Sequence, residues 1–236
     1  MIEIRNIDKR FGSLHVLKGV GFAIERGSIT AVVGPNSSGK TTLIKCVLGL
    51  VRHDSGAVSI DGVCMNGTWQ YRNDIGYMPQ IARFPENLTV DELIEMVKDL
   101  RNVKNAGEEE LIELFRLGSE RKRPVRTLSG GTRQKVSAVL ALMFNPAILI
   151  LDEPTAGLDP LASSLMKDRI LNERQKGKTI VLTSHNMHEV EELSDKVVFL
   201  LDGKVLYDGK PHDLISTTGE PTLERGIARL MENNGK

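Results

Sequence analysis

Two patterns of apolar residues divide the chain into segments. In the first, apolar and polar positions alternate over short pieces; this pattern fills residues 1–28 and predicts a small antiparallel sheet. In the second, a short unbroken apolar run is typical of a strand covered on both faces, and amphipathic helices lie between such runs. The unbroken runs occupy residues 29–33, 147–151 and 179–183. The second pattern predicts an α/β fold, a parallel sheet with helices on both faces.

A change in the spacing of apolar residues in the middle of the chain indicates a separate lobe. From about residue 81 to 127 the apolar positions repeat as in helices, and Thr89 with Glu92 fits a capping box at the start of the first helix. Residues 57–60 and 76–78 have strand-like composition. We therefore predict a helical lobe inserted into the α/β core, and two further strands in the antiparallel sheet.

The C-terminal part contains a hairpin signal and a less regular end. Asp202-Gly203 lies between two apolar runs, which predicts a two-residue hairpin turn. Beyond Pro211 the residues are mostly small and polar, and one amphipathic stretch lies near the end. We predict one domain over residues 1–215 and a tail over 216–236. The pattern leaves open whether the tail forms a contact or is disordered.

Composition and charge narrow the classes of partner. The 236 residues are 40% apolar, which suffices for a sizeable core in one domain. The formal net charge is zero, from 31 basic and 31 acidic residues. The chain therefore has no overall positive potential that would favour binding to nucleic acid or to an anionic membrane surface. The chain starts without a secretory signal, and no apolar run approaches the ~18 residues of a membrane span. These features predict a cytosolic protein without a nucleic-acid partner, which reaches a membrane only through another protein.

The sequence GPNSSGKTT, between the first unbroken apolar run and a helix, matches the phosphate-loop pattern G-x-x-x-x-G-K-[ST]. In this motif backbone N–H groups surround phosphate oxygens, and the lysine, here Lys40, reaches the β- and γ-phosphates. The hydroxyl that follows, that of Thr41, binds Mg²⁺. The predicted phosphate-binding residues are Gly34, Pro35, Asn36, Ser37, Ser38, Gly39, Lys40, Thr41 and Thr42.

Three side chains at the ends of two other predicted strands fit nucleotide hydrolysis. Asp152 is suited to hold Mg²⁺, while Glu153 is suited to take a proton from an attacking water or to orient it. His185 is suited to hydrogen-bond the γ-phosphate. An acid pair that merely caps a turn and a structural histidine are the alternatives, and Lys40 upstream favours the catalytic interpretation of the acids.

A second glycine cluster, Leu128-Ser129-Gly130-Gly131, lies at the predicted start of the helix over residues 129–144. A helix N-terminus attracts anions, because its free N–H groups lie at the positive end of the helix dipole. This cluster has neither a lysine nor a second pair of acids beside it. It is therefore predicted to serve a nucleotide that another copy of the chain holds.

Five motifs in order resemble those of the ATP-binding subunit of ABC transporters: GPNSSGKTT, YMPQ ending at Gln80, TLSGGTRQK, ILILDEPTAGLD, and TSH ending at His185. The LSGG element upstream of the LDEP element is highly specific for this family. The resemblance implies a P-loop NTPase (RecA-like) core with an antiparallel β-lobe and a helical lobe. It also implies hydrolysis of ATP with Mg²⁺, an ATP-dependent dimer of the chain, and a multi-spanning membrane permease as partner. The chain would then lie at the cytoplasmic face of the membrane.

The resemblance also implies roles for residues whose chemistry the motifs alone leave open. Phe11 would stack on adenine, although an aromatic residue in a strand is more often part of a core. Gln80 would bind Mg²⁺ and couple it, with water, to the partner subunit. Ser129 and Gly131 would contact the γ-phosphate held by the opposite copy, and Asp159 would lie in a loop that crosses the dimer interface.

The chain departs from the family pattern at Thr132, where many members carry Gln, and this predicts a changed contact across the dimer. Within the family the chain resembles exporter subunits, and it is most similar to the ATPase of the copper-processing transporter used in nitrous oxide reductase maturation. Its scattered histidines give no copper site by spacing. No residue identifies the cargo or the direction of transport.

Two other functions fit the sequence. One is a non-transport ATPase of the same family, such as one that acts in iron–sulfur cluster assembly. The other is a binding module in which ATP only switches an interaction. The carboxylate of Glu153 favours turnover over this second alternative.

Overall fold

The structure, a computed structural model, describes residues 1–65 and 69–234 of the chain. Over these residues it contains two β-sheets and eight α-helices. The strands of the first sheet are β1 (Ile2–Phe11), β2 (Leu14–Ile24), β4 (Ser55–Ile60) and β5 (Val63–Cys64). They pair antiparallel in the order β2-β1-β4-β5, as the alternating pattern at the start of the chain predicts.

The second sheet forms the centre of the fold. Its strands are β3 (Ile29–Val33), β6 (Ile75–Met78), β7 (Ile148–Asp152), β8 (Thr179–Thr183), β9 (Lys196–Leu201) and β10 (Lys204–Gly209). They lie in the order β10-β9-β3-β8-β7-β6, parallel except for the antiparallel hairpin of β9 and β10. The predicted parallel sheet and the hairpin at Asp202-Gly203 are confirmed.

One strand was assigned to the wrong sheet by the sequence pattern. Residues 76–78 are predicted to extend the antiparallel sheet, whereas β6 pairs parallel with β7 in the central sheet. The physical reason is burial: Ile75 and Met78 are 3% and 0% exposed, so β6 is covered as the other central strands are. Four residues carry too little pattern to show which sheet a strand joins.

The helices surround the central sheet and form the inserted lobe. They are α1 (Lys40–Val47), α2 (Val90–Leu100), α3 (Glu108–Leu114), α4 (Gly130–Leu142), α5 (Pro160–Gln175), α6 (Met187–Leu193), α7 (Pro211–Thr218) and α8 (Leu223–Asn234). The capping box predicted for α2 is confirmed. The Thr89 hydroxyl accepts the N–H of Glu92 at 3.2 Å, and the Glu92 carboxylate accepts the N–H of Thr89 at 2.8 Å.

Apolar side chains cover both faces of the central sheet. In β3, Ala31 and Val33 pack with side chains of α2 to α8, whereas Val32 packs with α1 and the antiparallel sheet. In β7, Leu149 and Ile150 divide between the same two clusters. Burial on both faces explains the unbroken apolar runs. It leaves the carboxyl ends of the strands as the edge where polar side chains collect.

The end of the chain is helical where the structure describes it. Leu214 in α7 and Leu223 and Ile227 in α8 are buried in the same cluster as the helices of the core. Residues 235 and 236 of the predicted tail lie outside the described residues. The boundary predicted at residue 215 falls inside α7, and the division into domain and tail stays a prediction.

Candidate nucleotide-binding site

A cleft of about 420 Å³ opens at the carboxyl ends of the central strands, beside the loop between β3 and α1. It is lined by Phe11, Leu14, Val16, Asn36, Ser37, Ser38, Gly39, Lys40, Thr41, Thr42, Gln80, Asp152, Glu153 and His185. The structure therefore brings together most residues of the predicted phosphate loop, both strand-end acids, and the side chains of Gln80, His185 and Phe11. Leu14 and Val16 were not predicted, because apolar residues of a strand carry no signal of a binding site.

The loop between β3 and α1 is held in a tight curve. Gly34 has a φ of 152°, and a Cβ at this position would lie 2.2 Å from the carbonyl oxygen of Leu200, so a side chain is excluded. The ammonium group of Lys40 donates to the carbonyl oxygens of Gly34 and Pro35 at 2.7 and 3.0 Å. Gly34 and Pro35 thus form the back of the loop, while the residues after them line the cleft.

Two polar groups of this loop suit an anionic ligand. Burial lowers the pKa of Lys40, and the charges of Glu153 and Asp152 offset that effect only in part. The hydroxyl of Ser38 is buried and has no hydrogen-bond partner among the described residues. A buried cation and an unpaired hydroxyl at the start of a helix are both satisfied by phosphate oxygens, so the loop fits the predicted ligand.

The acid at the end of β7 is fixed by the neighbouring strand. The Thr183 hydroxyl donates to Oδ1 of Asp152 at 2.5 Å, and the N–H of Glu153 donates to the same hydroxyl oxygen at 3.1 Å. Thr183 is fully buried, and its hydroxyl links the Asp152 carboxylate to the backbone N–H of Glu153. No role is predicted for Thr183 from the sequence. A hydroxyl residue at the end of an apolar strand is a signal from which its contact with Asp152 could have been predicted.

Glu153 and His185 are in direct contact in the cleft. Nε2 of the His185 ring lies 3.1 Å from Oε1 of Glu153, and the backbone N–H of His185 donates to Oε2 at 3.4 Å. Burial raises the pKa of Glu153 and Asp152 adds to the effect, whereas His185 and Lys40 oppose it. A carboxylate with a raised pKa is the more basic one, which suits a group that takes a proton from water.

The far end of the cleft is apolar and aromatic. The Phe11 side chain is 50% exposed, so Phe11 is not part of the core. The ammonium group of Lys9 lies 5.2 Å from the centre of the Phe11 ring, a cation–π distance. With Leu14 and Val16, Phe11 forms a surface on which a flat base can stack.

Besides Gly34 and Pro35, four predicted residues lie outside the cleft, on a different part of the surface. The Ser129 hydroxyl caps α4 by accepting the N–H of Thr132 at 3.1 Å. Asp159 caps α5 by accepting the N–H of Ala162 at 2.9 Å, and it also pairs with Lys135 of α4 at 3.1 Å. We call the surface formed by Ser129, Gly130, Gly131 and Asp159 the signature face. Its residues do not line the cleft of their own chain.

A divalent cation fits the oxygen groups of the cleft. Thr41, Gln80 and Asp152 all line it, and their side chains carry a hydroxyl, an amide and a carboxylate. Hydroxyl, carbonyl and carboxylate oxygens are the ligands that Mg²⁺ prefers, usually together with phosphate oxygens and water. These three residues are therefore the candidates for holding Mg²⁺.

Comparisons with known proteins bear on the whole arrangement. The sequence profile of the ABC transporter family matches residues 17–156, more than half of the chain. The chain belongs to the ABC transporter family. The predicted family, the P-loop NTPase fold and the ATPase activity are thereby confirmed for this ABC transporter ATPase.

Individual relatives cover nearly all of this ABC ATPase. A Nod factor export ATP-binding protein I of Burkholderia lata is 34% identical over 221 residues, which are 92% of this chain and 73% of that protein. A lantibiotic transport ATP-binding protein of Streptococcus pyogenes is 33% identical over 216 residues, 89% of this chain and 92% of that protein.

Solved structures show the same architecture. An ATP-binding subunit of an ABC transporter superposes with a TM-score of 0.91 at 30% identity, covering 98% of this chain and 99% of that one. A bacterial ABC transporter cassette solved as a dimer superposes with a TM-score of 0.81 at 26% identity, covering 89% and 98%. Among the described residues of this ABC ATPase, no helix is both long and apolar enough to cross a membrane.

Proposed function

We propose that the chain is the ATP-hydrolysing motor subunit of an export-type ABC transporter, and that two copies close face to face on two Mg-ATP. The observation that carries the proposal is the separation of the cleft from the signature face. Each chain offers a phosphate loop with acids in one place and a helix N-terminus with Ser129 in another. A dimer with each signature face on the partner's cleft completes both sites, and a similar cassette was solved as a dimer.

Each side chain of the cleft has a role that its position supports. Lys40 binds the β- and γ-phosphates, and Phe11 stacks on the adenine. Thr41, Gln80 and Asp152 would hold Mg²⁺, which would supply positive charge to the phosphates. Glu153 takes the proton of the attacking water or orients that water, and His185 hydrogen-bonds the γ-phosphate.

A groove between the core and the helical lobe is the site where we expect the permease to bind. It measures about 340 Å³ and includes the apolar side chains of Leu50, Phe84 and Val97. Leu50 is 58% exposed, so its side chain adds apolar surface that is open to a partner. Pro79 lines the groove and Gln80 lines the cleft, so a permease segment seated here would act on the Mg²⁺ site. This contact would hold the chain at the cytoplasmic face of the membrane.

Transport and export are supported by the relatives, which are named for Nod factor export and lantibiotic transport. These names favour a transporter over the soluble iron–sulfur alternative. The copper-related specialisation stays a prediction. The described residues contain no group of three or more histidine, cysteine or acidic side chains suited to hold a metal ion, and none of their features favours copper over other cargo.

The proposal is tested with Glu153→Gln, which keeps the shape of the side chain and removes the base. We expect hydrolysis to fall by at least about 100-fold. We also expect light scattering after size exclusion to show a dimer with Mg-ATP and a monomer without it. The matched control is the double variant Lys40→Ala with Glu153→Gln, which should stay monomeric at every ATP concentration. Hydrolysis at the wild-type rate in Glu153→Gln would show that this carboxylate is not the catalytic group.

A further inference from the structure

Gln134 is a buried polar residue in the second turn of α4. Its side chain is among the core-facing residues of this helix and is 6% exposed. Nε2 of Gln134 donates to the backbone carbonyl oxygen of Glu153 at 3.0 Å. An amide buried without a partner destabilises the fold, so this side chain needs its hydrogen bond. The bond joins α4 to the backbone of the proposed catalytic residue.

The backbone of Glu153 has an uncommon conformation. Its φ of 56° lies in the left-handed region, which costs a non-glycine residue free energy and persists only where neighbouring groups hold it. The N–H of Glu153 is bound to the Thr183 hydroxyl oxygen at 3.1 Å. Its carbonyl oxygen accepts the N–H of Ala156 at 3.2 Å and the Gln134 amide at 3.0 Å. Both peptide groups of Glu153 are thus held, and together they determine where its carboxylate lies.

The same helix touches the loop after Glu153 at two further points. A Cβ on Gly131 would lie 2.8 Å from the carbonyl oxygen of Gly157, so the two backbones are in close contact. Lys135 pairs with Asp159 at 3.1 Å. The cap of α4, Ser129, precedes Gln134 by five residues, about 7.5 Å along the helix axis. A displacement of the α4 N-terminus is therefore transmitted over a short, packed distance to the Glu153 backbone.

We propose that Gln134 is a positioning residue, which holds the Glu153 backbone and couples the α4 N-terminus to the carboxylate of the same chain. Because the α4 N-terminus carries Ser129, the partner's ATP would adjust the hydrolytic group of the chain it touches. This proposal rests on the proposed function, since it takes Glu153 as the hydrolytic group and Ser129 as the contact to the partner's nucleotide.

The first test is Gln134→Met, which keeps the length of the side chain and removes the donor. We expect kcat to fall by about 10- to 100-fold, because a catalytic group displaced by about 1 Å loses rate on that scale. The KM for ATP should change less than about twofold, because the phosphate loop is unaltered. Ser137→Ala is the matched control: Ser137 is 2% exposed on the same helix, and its replacement should leave kcat unchanged. A wild-type kcat in Gln134→Met would overturn the proposal.

A double-mutant cycle separates positioning from a general structural effect. In the Glu153→Gln background, Gln134→Met should cost no further rate, because the group that it positions is absent. If Gln134→Met lowered the hydrolysis rate by the same factor in the wild-type and the Glu153→Gln backgrounds, the proposal would be overturned. The double variant should still form the dimer with Mg-ATP, and hydrogen exchange of the amides of residues 153–157 should be faster than in Glu153→Gln. Gln134→Leu, which has no hydrogen-bond donor, serves in the same cycle if Gln134→Met does not fold. The rate of Glu153→Gln alone decides the proposed function independently.

Discussion

At the scale of single residues, Thr132 shows how a departure from the family pattern acts. Its hydroxyl and that of Ser129 share a hydrogen bond of 2.8 Å, while its N–H is capped by the same Ser129 oxygen at 3.1 Å. The sequence identified Thr132 as unusual, but it did not show that Thr132 engages the serine proposed to bind the partner's γ-phosphate. In this chain the Thr132 hydroxyl therefore competes with a phosphate oxygen for the Ser129 hydroxyl.

Thr132→Val removes that competition and keeps both the shape of the side chain and the backbone cap. One hydrogen bond is worth about 1 kcal/mol net and the dimer contains two such Ser129 contacts, so we expect the ATP-dependent dimer to form about 30-fold more tightly. The measurement is the dimer dissociation constant in the Glu153→Gln background with saturating Mg-ATP. Thr127→Val is the control, because the Thr127 hydroxyl is bound to the Pro124 carbonyl oxygen at 2.7 Å, outside the helix. A weaker dimer in Thr132→Val would mean that the Thr132 hydroxyl itself contacts the partner.

At the scale of elements, a buried carboxylate joins the end of α5 to the start of β8. Glu173 has a side chain that is 1% exposed, with Arg169 and Lys176 each at 2.9 Å and Lys178 in contact. Burial disfavours the charge of Glu173, but the three cations outweigh it and hold the pKa of Glu173 below its usual value. The ionised form is therefore the one that stabilises the fold.

Glu173→Gln should destabilise the chain by about 3 kcal/mol at pH 7, because it removes the counter-charge of the largely buried Arg169 and Lys178. The sign of the pH dependence follows from the lowered pKa. The wild type keeps this contribution above the unfolded pKa of about 4.3 and loses it as the pH falls through the lower, folded value. Urea unfolding between pH 7 and 3 should thus show a smaller loss for Glu173→Gln. Glu192→Gln, which breaks a half-exposed pair with Lys167, is the control and should cost less than about 1 kcal/mol. Equal costs for the two variants would contradict the prediction.

Sequence patterns predicted elements where the signal was local, and missed those that depend on distant contacts. The strand β3, the capping box at Thr89 and the turn at Asp202-Gly203 are encoded by a few neighbouring residues, so they could be predicted. The sheet that β6 joins depends on pairing with β7, more than 70 positions along the chain. Within the site, motifs identified the side chains of the cleft. The supporting bonds of Thr183 and Gln134 join residues 31 and 19 positions apart. Thr183 has only the local signal of a hydroxyl residue at the end of an apolar strand, and Gln134 has none.

At the scale of the whole molecule, the last two helices belong to the packing of the core. Leu223 in α8 is fully buried among side chains of that core, although the surrounding sequence is mostly polar. Leu223→Ala should lower the stability of the chain by about 2–5 kcal/mol, because it leaves a cavity in a shared core. Thermal unfolding should show one transition at a lower temperature. Met231→Ala, at a residue of α8 that is 37% exposed, is the control. A main transition at the wild-type temperature would support a separate tail after residue 215.

The separation of the cleft from the signature face has a consequence for genetics. Under the proposed closure, each ATP needs Lys40 from one chain and Ser129 from the other. A Lys40→Ala allele and a Ser129→Ala allele, each inactive alone, would complement each other, since every mixed dimer contains one intact site. By the same rule either allele would be recessive beside a wild-type gene, because a dimer of one defective and one wild-type copy also keeps one intact site.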